Sequence, residues 1–383
     1  MSVRRRRLGD CCEVVSGATP RTDNDAYWGG AIRWATPKDV SGLDSSTLYE
    51  TPDTLTEAGY QSCSTKLVPP GSVLVSSRAP IGLVAIAGIE MCTNQGFKTL
   101  VPGAELNSSY LYHCMKANAD RLASLGNGAT FKEVSKATVE NFEIPVPGLD
   151  EQTRIAAILD RADSLRRKRQ EAIRLADEFL RAAFFELFGD PAVNPRGWPE
   201  RSVSEIGIVT TGNTPDRSIE ANFGNAIEWI KSDNINTPSH RLTAAREGLS
   251  ATGMERARIV SEGSTLMTCI AGSPSCIGNV AMADRRVAFN QQINAITPND
   301  DIDPKFLYLL LLFSKARIQA TSTNSMKGMV SKGVLEKVRL IWPPKSLQDR
   351  LVQVFDKVAT LQSRMEETQE LNLYASLQAQ LLA

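Results

Sequence analysis

Histidine is nearly missing from this chain, with two among 383 residues, His113 and His240. Seven cysteines, at 11, 12, 63, 92, 114, 269 and 276, show no C-x-x-C spacing and an odd total. With so few imidazoles to complete a ligand set, this pattern argues against a zinc site and a disulfide framework, and fits reduced thiols in a cytoplasm. No apolar run reaches about 18 residues, so no helix is expected to span a membrane. The basic start, Ser2-Val3-Arg4-Arg5-Arg6-Arg7-Leu8, has no apolar stretch behind it and does not read as a secretory signal. An excess of one charge is absent as well, with 43 basic and 43 acidic residues. That argues against nonspecific coating of DNA but leaves open specific binding through one face. Catalytic signatures are also missing. Trp342-Pro343-Pro344-Lys345 lacks the polar residue before the prolines and the aromatic after them that amino-methyltransferases use, and there is no G-x-x-x-x-G-K-[ST] phosphate loop. A nuclease drawn from Pro215-Asp216 and Asp303-Pro304-Lys305 has no counterpart in Asn107-Ser108-Ser109. No catalytic, cofactor-binding or metal-binding residue is assigned.

What is present is a repeat. Ser16-Gly17-Ala18-Thr19-Pro20 and Gly29-Gly30-Ala31-Ile32-Arg33-Trp34 return as Thr211-Gly212-Asn213-Thr214-Pro215 and Gly224-Asn225-Ala226-Ile227-Glu228-Trp229, 195 positions on. The correspondence continues through Gly71-Ser72 and Gly263-Ser264, Ile81-Gly82 and Ile277-Gly278, Asn94-Gln95 and Asn290-Gln291, and Val134-Ser135-Lys136 and Val330-Ser331-Lys332. So long a period means a duplicated domain, not a solenoid. The copies differ in loops: Arg78-Ala79-Pro80 faces Ala271-Gly272-Ser273-Pro274 with a change of length.

Each copy reads as short β-branched runs between turn residues, with helical spacing over Ser109 to Leu125 and again over Pro304 to Gln319, which makes it an α+β unit. Long proline-free helical stretches follow each copy. The first, from Glu151 to Phe188, carries Ile155, Ile158, Leu159, Ala162, Leu165, Ile173, Ala176, Phe179, Leu180, Ala183 and Leu187 on one broad stripe, and Gly189-Asp190-Pro191 stops it. The second, from Ser346 to the carboxyl end, belongs to the repeat: Gln152, Arg154, Ile155 and Asp160 align with Gln348, Arg350, Leu351 and Asp356. The expected organisation is residues 1–150, a first α+β domain; 151–189, a central helix; 190–345, a second domain; and 346–383, a final helix. The simplest packing makes a pseudo-twofold object with the two helices antiparallel, a coiled-coil-like spacer. At ~1.5 Å per residue, a helix of about 35 residues spans roughly 50 Å.

The order Gly-x-Thr-Pro, Gly-x-x-Ile-x-Trp, Asn-Gln, and then Pro147-Gly148-Leu149-Asp150-Glu151-Gln152-Thr153-Arg154-Ile155 leading into a long helix resembles the DNA specificity subunit of type I restriction-modification systems. The resemblance covers essentially the whole chain. The second copy departs from it at Leu347, where Glu is usual. The resemblance implies two target recognition domains, each reading half of a split double-stranded DNA sequence, in a subunit that is itself noncatalytic. It further implies helices that dock two methyltransferase subunits, recruitment of restriction subunits, and S-adenosylmethionine and ATP with Mg bound by those partners and not by this chain. The alternative is a stand-alone DNA-binding regulator or blocking protein built on the same domains.

Candidate DNA contacts follow from side-chain chemistry. Thr36-Pro37-Lys38-Asp39 and Lys231-Ser232-Asp233-Asn234 gather donors and acceptors suited to base edges: Lys for guanine and phosphate, Asn for adenine, Asp for cytosine. Arg78 and Ser273 lie where the copies diverge and so fit specificity. Lys132, Lys136, Lys327 and Lys332 are phosphate candidates. Asn94-Gln95 and Asn290-Gln291 recur in both copies, which fits hydrogen bonding that fixes the fold or a DNA backbone contact. Gly17 and Gly212 read as tight turns, and the run Arg161, Arg166, Arg167, Lys168 and Arg169 as a solvated face.

Overall fold

The duplicated sequence folds into a duplicated set of elements. A computed structural model of the protein describes residues 4–78, 80–128, 132–323, 328–367 and 370–382. Contacts divide the chain into two units: one runs to residue 172 and takes in the chain again from residue 365, and the other holds residues 173–364.

In the first unit, Cys12–Ser16, Phe97–Pro102, Val73–Ser76, Val84–Ala87 and Thr47–Leu48 lie in that order in one sheet. Thr54–Leu55, Trp28–Ala35 and Cys92–Thr93 form another. The second unit repeats them as Gly207–Thr211, Ile293–Pro298, Thr265–Thr268 and Val280–Met282, and as Gly248–Leu249, Phe223–Ile230, Val287–Phe289 and Ile259–Val260. Trp34 pairs in parallel with Cys92 as Trp229 does with Ala288, so the sequence offset is also a register offset. The copies part at the sheet edge. Thr47–Leu48 pairs with Ile86 and Ala87, whereas in the second unit a single bridge joins Arg241 to Met282.

The principal helices are α1 (Ser108–Ala117), α2 (Leu149–Phe188), α3 (Pro304–Phe313), α4 (Lys345–Glu367) and α5 (Glu370–Leu381). Asn107 caps α1 by accepting from the Tyr110 amide at 3.0 Å. Asp303 caps α3 by accepting from the Lys305 amide at 2.8 Å, with Pro304 supplying a helical φ. Both helices end sooner than their spacing predicts. The Asn118 side-chain amide turns back onto the Cys114 carbonyl at 2.9 Å, and a separate helix, Ala119–Ser124, starts after it. Ser314 occupies the corresponding break between α3 and Lys315–Gln319.

The repeated glutamine anchors each long helix. Buried Gln152 accepts from the Asn107 amide at 2.8 Å and donates to the carbonyls of Glu105 and Pro147 at 3.0 and 2.8 Å. Gln348, also buried, donates to the Pro343 carbonyl at 2.8 Å. At its far end α2 is closed by Gly189, whose φ of 76° is favoured by glycine and whose amide donates to the Phe185 carbonyl.

The stripe on α2 enters two cores and is wider than either. Ile155, Ala156, Leu159 and Ala162 join Tyr110, Leu111 and Met115 in the first unit, while Leu180, Phe184 and Phe188 join Phe306 and Leu307 in the second. Leu165 and Phe179, read as part of the stripe, are 45% and 60% exposed, because at 3.6 residues per turn they sit roughly 80–120° around the helix from Ile155. The expected single C-terminal helix is described as α4 and α5, with residues 368–369 outside the described set. Leu351, Phe355 and Val358 of α4 pack in the second unit, and Tyr374 of α5 in the first.

Polar contacts sit inside these junctions. His113 on α1 places Nε2 2.8 Å from Asp160 on α2 and Nδ1 3.0 Å from the Tyr374 hydroxyl on α5. His240 in the second unit does likewise with Asp177 at 3.1 Å and the Tyr308 hydroxyl at 2.7 Å. Asp163, fully buried, meets Lys116, Arg166 and Arg167 at 3.2, 2.9 and 3.0 Å. Burial alone would raise its pKa; the three cations outweigh that and hold it below the ordinary carboxylate range. Arg166 and Arg167, with side chains 24% exposed, are therefore part of an ion cluster around a buried carboxylate and not of a solvated face.

The segment that places the candidate site is the Gly-x-Thr-Pro loop. Ala18 donates its amide to the Thr93 carbonyl at 3.0 Å, and Asn213 to Phe289 at 3.1 Å. A Cβ on Gly17 would lie 2.1 Å from the Asn94 carbonyl oxygen, and one on Gly212 would lie 2.2 Å from that of Asn290. Neither glycine has positive φ, so close backbone approach and not turn geometry demands them. The loop is then tied to its sheet by tryptophan: Trp34 Nε1 donates to the Ala18 carbonyl at 3.0 Å, and Trp229 Nε1 to Asn213 at 3.3 Å.

Two stability predictions follow from these contacts. Gly17→Ala or Gly212→Ala should lower the unfolding free energy by about 2 kcal/mol or more, as overpacking against rigid backbone does, while Gly42→Ala, where a Cβ meets nothing within 4 Å, should stay within about 0.5 kcal/mol; denaturant titration measures both. Asp163→Asn should cost about 2 kcal/mol at pH 7 because it leaves three partly exposed cations without the buried carboxylate they share. A carboxylate whose pKa is depressed by folding stabilises fully above its unfolded pKa and loses that contribution as pH falls through the folded value. The gap between wild type and Asp163→Asn should therefore close in acid, below the ordinary carboxylate range.

Candidate nucleic-acid interface

In each unit, loops distant in sequence meet at the Asn-Gln turn. In the first, the Ser77 amide donates to the Gly96 carbonyl at 2.7 Å and the Val134 amide to Ser77 at 2.9 Å, and Arg78 bridges to Glu133. A Cβ on Gly96 would sit 3.0 Å from the Pro37 ring. The segments bearing Lys38, Arg78, Gln95 and Lys132 are thus gathered together. In the second, the Cys269 amide donates to Gln292 at 2.8 Å, the Val330 amide to Cys269 at 2.9 Å, and the Asn290 amide to Ile230 at 3.0 Å. Ile270–Ala271 pairs with Gly328–Met329 in the same place.

The twelve candidate contacts separate into frame and free surface. Asp39 belongs to the frame: its carboxylate accepts from the Thr36 amide at 2.7 Å and the Thr36 hydroxyl at 2.8 Å, closing a capping box on the helix Pro37–Ser41. Asn234 matches it in the second copy. It is 6% exposed, accepts from the Lys231 amide at 3.0 Å and donates to the Ala244 carbonyl at 3.0 Å. Asn234, whose amide chemistry suits adenine, has both ends of that amide bonded inside the fold in this structure.

Lys38 is exposed, as are Lys132 and Asp233; Ser232 is half-buried. Arg78 is exposed and pairs with Glu133 at 3.0 Å, beside Lys98 at 3.5 Å from the same carboxylate. Lys231 lies 2.7 Å from Glu247 and 5.0 Å over the Trp229 ring. Hydrogen bonding by Lys231 holds the Glu247 pKa below its usual value. The Ser273 hydroxyl is 2.7 Å from that of Ser275 at an exposed turn. Lys136 and Lys332 head equivalent short helices, each capped by the preceding serine, and each faces a glutamate one turn on at 3.6 Å. Lys327 lies outside the described residues.

Sequence reasoning missed two features. Arg217, two residues past Pro215, stacks 5.3 Å from the Trp229 ring and pairs with Glu247 at 3.2 Å. Both tryptophans meet an aromatic ring edge-on, Trp34 with Trp28 at 4.9 Å and Trp229 with Phe223 at 6.1 Å, so what the second copy adds is the cation. The signal was the cation two places after one proline against Arg21 directly after the other. The second feature is a bond from Thr19 to Gln95, repeated from Thr214 to Gln291. Its signal was the repeat itself.

Residues 3–175 and 195–373 match the family described as the type I restriction modification DNA specificity domain. The specificity subunit of the type I restriction enzyme MjaIX from Methanocaldococcus jannaschii is 34% identical over 234 residues, 56% of this chain and 54% of that protein. The EcoR124I/EcoR124II specificity subunit of Escherichia coli is 29% identical over 194 residues, 48% of this chain and 46% of that protein. The chain thus spans about half the length of these two relatives. Among solved structures, a type I restriction-modification S subunit from M. genitalium aligns over all of this chain and 96% of its own with a TM-score of 0.60 at 13% identity. A chain from a study of assembly and conformational transition in a type I R-M system aligns over 100% and 98% with a TM-score of 0.52 at 20% identity. These likenesses show a shared fold, and no described helix is long and apolar enough to cross a membrane. With both halves matched in order, the chain belongs to the type I restriction-modification DNA specificity domain family.

Proposed function

We propose that this chain is the sequence-recognition subunit of a type I restriction-modification enzyme, acting in the cytoplasm and noncatalytic in itself. Each unit reads one half of a bipartite double-stranded target through its loop cluster. The observation that carries this reading is the duplicated frame of glycine, tryptophan and Asn-Gln turn, which presents different side chains in its two copies: Lys38 and Arg78 against Lys231, Arg217 and Ser273. A shared scaffold with unlike surfaces suits two unlike half-sites.

The long helices dock two methyltransferase subunits, and restriction subunits join through them. Leu175 and Phe179, four residues apart on α2, are 50% and 60% exposed, and Leu361 on α4 is 51% exposed. Apolar groups left uncovered on one helix face favour a subunit with partners over a stand-alone binding protein. S-adenosylmethionine, ATP and Mg are bound by those partner subunits.

Co-expressed with its methyltransferase partner, the chain should direct adenine methylation to one split motif, and methylome sequencing reads this out. A stable complex that leaves no such motif would count against the reading. Exchange of residues 1–150 for a relative's first domain should change one half-site and spare the other. Lys132→Ala should weaken binding alike across sequences and lower the salt slope by about one, measured by fluorescence anisotropy over a range of salt.

A further inference from the structure

One exposed side-chain contact is made in both units. The Thr19 hydroxyl donates to Oε1 of Gln95, and the Thr214 hydroxyl to Oε1 of Gln291, with the threonines 195 and the glutamines 196 positions apart. The neighbouring asparagines already do the work of holding the turn. Asn94 Oδ1 accepts from the Gly96 amide at 2.9 Å, and Asn290 Oδ1 from the Gln292 amide at 3.1 Å. The loop itself is pinned by the Ala18 and Asn213 amides. An exposed neutral hydrogen bond adds only about 1 kcal/mol to such a frame. Its effect is orientation. With Oε1 turned to the threonine, the planar amide turns Nε2 away from it, and neither Nε2 has a hydrogen bond to a described residue. Both glutamines are exposed, at the turn where the loop clusters meet.

Identical groups in identical places cannot distinguish two different half-sites. Bidentate reading of adenine needs Oε1 and Nε2 to face the base edge together, and here Oε1 faces the threonine. A phosphate oxygen needs one donor and is the same in every sequence. On the reading that this chain binds a split DNA target, we infer that Gln95 and Gln291 each donate Nε2–H to a backbone phosphate, and so set the register of their unit on its half-site.

The test uses the full chain in complex with its methyltransferase partner. Gln95→Glu keeps an acceptor for Thr19 but puts a negative charge where the donor stands. It should weaken binding to the split-motif duplex by about tenfold or more, equivalent to about 1.4 kcal/mol, with the methylated motif and the unfolding midpoint unchanged. Gln291→Glu should do the same. In a scan of single methylphosphonate substitutions, the penalty of each variant should vanish at one position in its half-site, where the repelling charge has been removed. Binding by both variants within about twofold of wild type would show a loop latch only and overturn the inference. So would a changed methylation motif, a loss of binding that tracks a lowered unfolding midpoint, or a scan with no such position. A wild-type complex that methylates no split motif would instead overturn the underlying reading, and this inference with it.

Discussion

The architecture of each unit depends on one close approach between two stretches of backbone. The Gly-x-Thr-Pro loop lies so near the Asn-Gln turn that even a methyl group on its glycine would collide with a carbonyl oxygen about 2 Å away. That approach brings the loop's carbonyl within reach of the indole of Trp34 or Trp229, itself held by parallel pairing to the strand leading into the turn. Loop, tryptophan and turn therefore position one another. The segments that carry Lys38, Arg78 and Lys132, or Lys231 and Met329, hydrogen-bond to or pack against this closed arrangement. Because the frame is satisfied through backbone and buried groups, side chains at its rim can change without unsettling it.

The long helices solve a different problem. A 40-residue helix has no core of its own, and α2 contributes to two. Its attachment uses polar groups with no freedom to slide: Gln152 with three backbone partners, Asp163 among three cations, and the two histidines between carboxylate and phenol. Apolar contacts alone would tolerate a shift along the helix axis, but a buried carboxylate held by three cations tolerates very little, since leaving it unpaired costs several kcal/mol.

Much of the fold was legible because duplication doubles every signal. The paired glycines, tryptophans and Asn-Gln turns marked a common scaffold, and the Pro304 and Gly189 signals placed a helix start and a helix end correctly. The misses have local causes. Asn118 interrupts an apolar periodicity that continues on both sides of it, so the spacing hides the break. Leu165 and Phe179 sit on the flank of α2, and a stripe of composition does not say how wide the receiving core is. Arg166 and Arg167 look like surface charge until Asp163, one turn back, is known to be buried. Among the candidate contacts, Asp39 and Asn234 have the right chemistry for bases and also for capping, and only the backbone path shows that capping uses them.

By itself, the sequence determined that the protein is a tandem duplication with α+β units and long helices, because periodicity, glycine and proline act over a few residues and survive in a linear reading. It also determined family membership, since the order of short motifs is itself linear. The tertiary structure alone decided which polar side chains face inward, which glycines answer a steric need instead of a turn, and which halves of the helices belong to which core. Those outcomes depend on segments from 77 to 261 residues apart coming within hydrogen-bond or van der Waals distance, as Gly17 and Asn94 or His113 and Tyr374 do. No local propensity encodes such a meeting.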